Sequence, residues 1–132
     1  METDKAEGAT NMYKSISIDS PLKNDYLPYY LIATYYESEY EKLSADLKAK
    51  QAAKAPAAEI AALTAKTSQT INRMLDAYAR TCKRADMKND PNKEVYKQRY
   101  NQIYKFVKTT DAGAAEFINL VDASAMPDPG KN

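Results

Sequence analysis

Three groups of side chains in this chain have chemistry to offer: the single Cys82, the carboxylates Glu37, Glu39 and Glu41, and the cations between Arg80 and Lys108. Cys82 is followed by Lys83 and Arg84, and cations beside a thiol favour the reactive thiolate. It also sits on the apolar stripe of a helical pattern, where a buried thiol packs as a small apolar side chain. The three carboxylates are two residues apart, which scatters them around a helix instead of converging them on a cation. A solvated acidic face is therefore the expectation. From Arg80 to Lys108, nine cations stand against three carboxylates, with Tyr96, Tyr100 and Tyr104 interleaved. Arg80, Lys83, Arg84, Lys97, Arg99 and Lys105 form a candidate nucleic-acid patch, cations tracking phosphates while tyrosines stack on bases. Tyrosines at i, i+4 and i+8 are equally a packing stripe, with the cations on a solvated face.

Histidine is absent. This removes Ser-His-Asp and Cys-His nucleophile systems, histidine general bases and histidine metal ligands. Three isolated glycines make no phosphate loop, and one cysteine allows neither an internal disulfide nor a multi-cysteine metal site. Carboxylates, lysines and tyrosines remain as candidates for catalysis, and no spacing singles any of them out. The expectation is a non-catalytic protein with no cofactor and no metal. Eleven tyrosines and no tryptophan are unusual. Tyr26, Tyr29, Tyr30, Tyr35, Tyr36 and Tyr40 go around a helix instead of along one face. Tyr26, Tyr29, Tyr30 and Tyr35 are the candidate partner-binding residues, because tyrosine gives amphipathic contact area at low entropic cost. The competing reading packs them against neighbouring helices.

The elements that must position these groups are helical. Tyr29, Ala33, Tyr36, Tyr40, Leu43 and Leu47 step by fours and threes, as do Ile60, Leu63, Thr67, Ile71, Met74, Tyr78 and Cys82. Between the two arms lies Lys54-Ala55-Pro56-Ala57. Pro56 disfavours helix for Ala55 and suits the first turn of the second arm. The spacing predicts an antiparallel hairpin, about 26–54 and 57–85. Folding about Pro56 sets Leu43 and Leu47 near Leu63 and Thr67, Tyr36 and Tyr40 near Ile71 and Met74, and Tyr29 near Tyr78 and Cys82. Residues 49–66, half alanine, form a projecting tip that is helical but buries little area. Before the hairpin, Ala9, Tyr13 and Ile16 mark a short helix ended by Asp19-Ser20-Pro21, and Asn24 or Asp25 can cap the first arm. After it, Val95 to Val107 and Ala114 to Val121 trace two more helices, about 91–107 and 112–124, packed on the base. Asn89 or Asp90 can cap the former and Thr110 or Asp111 the latter. Residues 1–8 and 125–132 read as flexible ends.

Two stretches resemble tetratricopeptide-repeat (TPR) proteins. Ala9-x3-Tyr13-x2-Ile16-x4-Pro21 looks like the second helix and closing proline of a repeat. Pro28 to Tyr36 is similar to the opening helix of the next, with Leu31 in the leucine place and Tyr35 in the tyrosine place. Pro28 stands where that pattern has tryptophan and Ile32 where it has glycine. Thr70 to Arg80, then Tyr104-Lys105-Phe106, then Asp111 to Ile118 with a proline-containing tail, resemble the C-terminal region of bacterial TPR proteins. The resemblance implies the closing cap of a helical solenoid, with room for upstream repeats, and a protein or peptide as partner.

The expectation is thus one all-α domain over residues 1–132, TPR-like, acting as a protein-interaction or scaffold module. A helical nucleic-acid-binding domain using residues 80–108 is the alternative. At 132 residues, 44% hydrophobic and a net charge of +1, the composition is that of a globular chain. No apolar run approaches the roughly 18 residues of a membrane span. The start, Met1-Glu2-Thr3-Asp4, is no secretory signal, so a soluble protein, cytoplasmic by default, is expected.

Overall fold

The computed structural model describes residues 2–17 and 25–129. They form five helices and a closing turn: α1 (Glu2–Ser17), α2 (Tyr26–Ala52), α3 (Ala57–Met87), α4 (Lys93–Lys108), α5 (Ala114–Leu120) and a 3-10 turn, Val121–Ala123. No strand occurs among the described residues. None of their helices is long and apolar enough to cross a membrane. The all-α expectation and the hairpin hold.

The hairpin turn has a specific local cause. Lys54 adopts φ 54°, in the left-handed region. Its N–H donates to Gln51 O at 3.1 Å and that of Ala55 to Lys50 O at 3.0 Å, the Schellman arrangement that satisfies the last carbonyls of a helix. The base repeats the device. Asn89 has φ 52°, its N–H donates to Asp86 O, and that of Asp90 donates to Ala85 O. In both turns a proline, Pro56 or Pro91, comes two residues after the left-handed residue and stops the helix from resuming in register. Asp25 caps α2 by accepting from Leu27 N at 3.3 Å. The Asp90 carboxylate accepts from Asn92 N at 2.8 Å just ahead of α4. Asp19-Ser20-Pro21 and Asn24 lie outside the described residues.

The lower half of α3 is the centre of the molecule. Met74, Leu75, Ala77 to Cys82, Arg84 and Ala85 are all buried. Around this segment pack α2 through Tyr29, Ile32, Ala33 and Tyr36, α4 through Tyr100, Ile103 and Tyr104, and the closing segment through Val121 and Met126. Helix α1 packs against α2, with Ala9 buried. Ile32 is fully buried. By contrast, no residue from Glu37 to Lys66 is buried. The upper hairpin is a bare pair of helices, joined across the tip by a Lys50–Glu59 ion pair at 2.8 Å.

Several expectations need correction. Helix α1 begins at Glu2, well before Ala9. Residues 125–129 are not a loose end: Met126 is buried, Arg80 Nη2 donates to Ser124 O at 2.9 Å, and Arg73 Nη1 donates to Asp128 O at 3.4 Å. The last helix starts at Ala114, not 112, and closes with a 3-10 turn. Its N-cap is Gly113 at φ 87°. Thr110 serves a turn before it, its hydroxyl accepting from Ala112 N at 3.2 Å. Tyr30 also packs on Tyr78, edge-on at 6.4 Å, and Tyr29, Tyr78 and Cys82 share one buried cluster.

Candidate functional site

Where α4 ends, the hairpin continues without cover, and a groove of about 310 Å³ opens between them. Its lining includes Ile71 and Met74 from α3 and Ile103 from α4, with the rings of Tyr40 and Phe106 6.4 Å apart and edge-on. Glu37, Glu41, Arg99 and Gln102 supply its polar lining. Phe106 is 66% exposed, unusual for a residue that has apolar neighbours within reach.

A polar network fixes the groove's lower end. Glu37 accepts from the Tyr78 hydroxyl at 2.9 Å and from Arg99 Nη2. Arg99 Nη1 donates to Gln102 Oε1 at 3.2 Å. Burial, and then the Glu37 carboxylate, push the Tyr78 hydroxyl well above the usual phenol range. The network ties α2, α3 and α4 together and fixes the position of α4 relative to the shaft. Of the acidic triplet, Glu37 is thus an inter-helix tie, Glu39 pairs with Lys42 at 3.5 Å, and Glu41 lines the groove. The triplet does not converge, and no group able to hold a metal occurs among the described residues.

The expected partner face of tyrosines is not assembled as one. Tyr29 is only 4% exposed, with the Arg84 guanidinium 4.2 Å from its ring centroid. Tyr26 and Tyr30 stack on Tyr96 of α4 at 5.5 and 5.0 Å. The Tyr26 hydroxyl, hydrogen-bonded to Asp90, is pushed up to about 12. Tyr35 lies against Tyr36 at 5.4 Å and lines a cleft with Met12 of α1. Packing against α1 and α4 therefore absorbs most of this surface, because both helices present apolar faces to α2.

The basic patch is likewise dismantled. Arg80 pairs with Asp76 at 2.7 Å, Lys83 and Arg84 with Asp122 at 3.2 and 2.9 Å, and Arg99 with Glu37. Arg80 and Arg84 are buried. Only Lys97 and Lys105 of the six stand exposed. Cys82 is buried, and burial pushes its thiol up to about 12 against the weaker opposing pull of Lys97. The thiol stays protonated at neutral pH.

Of the groove's apolar residues, Tyr40, Ile71, Met74 and Ile103 were visible as stripe positions in the sequence, and Phe106 was not. That residue lies three positions after Ile103 and seven after Arg99, on their side of α4, and this spacing is the signal that points here. Comparison of the chain with known families, curated proteins and solved structures gave no match.

Proposed function

We propose that the chain is a non-catalytic protein-interaction or scaffold module, resembling the C-terminal cap of a TPR array, and that it docks a partner segment in the groove beside Phe106. The observation that carries this reading is the groove itself: an apolar lining, two aromatic rings, and a polar network that pre-forms it. Pre-formed apolar concavities with few fixed polar groups are the usual form of binding sites, and binding to one avoids much of the ordering cost of association. The bare shaft above it extends the surface available to an extended or helical segment. The nucleic-acid alternative has less support. Of its six-residue patch, only Lys97 and Lys105 are exposed and make no ion pair among the described residues.

The test is site-specific photo-crosslinking in cells. A benzophenone amino acid at position 106 is expected to give a discrete adduct, whereas the same group at position 95, where Val95 is 62% exposed, gives none. Equal adducts from both positions, or none from either, would remove the groove from the account.

A further inference from the structure

Resting on the docking reading above, the geometry points to a cationic anchor in this groove, a lysine or arginine side chain carried by the partner. The charged groups lining the groove are Glu37, Glu41 and Arg99. Arg99 is engaged with Glu37, whose second oxygen holds the Tyr78 hydroxyl. Glu41 makes no ion pair among the described residues and is exposed. An incoming acidic side chain meets the unneutralised Glu41, the charges of Glu37 and Arg99 being spent on each other. A neutral apolar one fills the space beside Ile71, Met74 and Ile103 but makes no use of the Glu41 charge at its rim. A lysine or arginine satisfies every surface at once. Its methylene stem lies on the apolar lining, its head comes within reach of Glu41, and the rings of Tyr40 and Phe106 offer π surface to the cation.

The inference is tested by NMR titration of the full chain with three small probes of one stem length: butylammonium, butylguanidinium and neutral n-butanol. The expected result is saturable shifts at the methyls of Ile71, Met74 and Ile103, with both cations binding about three- to five-fold tighter than butanol at low salt. Glu41→Gln, an exposed and structurally mild change, is expected to bring the cations to the butanol level and leave butanol unchanged. If all three probes bind the groove equally in the unaltered chain, the cationic preference is wrong while the docking groove stands. If none shifts the groove methyls up to its solubility limit, both the preference and the docking site fall.

Discussion

Asp122 does more for the base of this molecule than any carboxylate that spacing alone would pick out. It lies in the 3-10 turn and reaches Arg80 at 3.5 Å, Lys83 at 3.2 Å and Arg84 at 2.9 Å. Burial works against its charge, but hydrogen bonds and attraction from Arg84 and Lys83 win and hold its carboxyl below the usual range. A carboxylate with a depressed folded pKa adds stability above its unfolded value of about 3.9 and loses it as pH falls through the folded value. Asp76 has the opposite sign, its pKa raised chiefly by burial, so it favours the fold more at low pH than at neutral pH. Asp122→Asn should therefore cost about 2 kcal/mol at pH 7, less than a fully buried pair because Asp122 is partly solvated. The gap to the unaltered chain should narrow below about pH 4. Urea denaturation at pH 7 and pH 3 checks both; an equal gap at the two pH values would mean that the charge is not what matters. The local pair Asp76–Arg80 was legible from its i,i+4 spacing and is present at 2.7 Å. Asp122 was not, because its partners lie far back along the chain, 42 positions in the case of Arg80, and only the folded chain brings them together.

At the scale of elements, the periodicity of threes and fours located α2, α3 and α4 to within a few residues. It could not say which way the tyrosines of α2 turn, because aromatic residues on every side leave no unique apolar face. It placed the start of α5 within two residues but could not show what holds it, because that depends on contacts from α4. The Tyr104 hydroxyl donates to Ala112 O and the Tyr100 hydroxyl to Ala114 O, both at 2.7 Å. Between those two carbonyls sits Gly113 at φ 87°, where an added Cβ would lie 2.9 Å from the Tyr104 oxygen. Gly113→Ala must strain the backbone and displace that hydroxyl, with an expected loss of about 2 kcal/mol. Gly8→Ala makes the control of opposite sign. Gly8 lies within α1 with nothing within 4 Å of the added Cβ, so it should gain up to about 1 kcal/mol. Thermal unfolding of the two variants distinguishes them, and a neutral Gly113→Ala would show that the α4–α5 junction is not held as described.

Taken whole, the molecule has two unlike halves. The fold-back about Pro56 was readable because two arms of similar length flank one proline. The boundary between the halves was not, because it depends on how far α4 climbs the shaft, and that is set by the long-range tie of Glu37 to Tyr78 and Arg99. Around and below this tie, Met74–Ala85 of α3 is largely buried; above it, two helices face solvent. The docking proposal needs that contrast, since a shaft already covered has no room for a partner. Short helix pairs with little buried apolar area open easily, whereas segments at the centre of a core open only with the whole fold. Amide hydrogen exchange read residue by residue therefore tests the account most directly. It should show Met74–Ala85 protected to the level of global unfolding and Leu43–Leu63 exchanging orders of magnitude faster. Protection of Leu43–Leu63 as strong as that of Met74–Ala85 would contradict it.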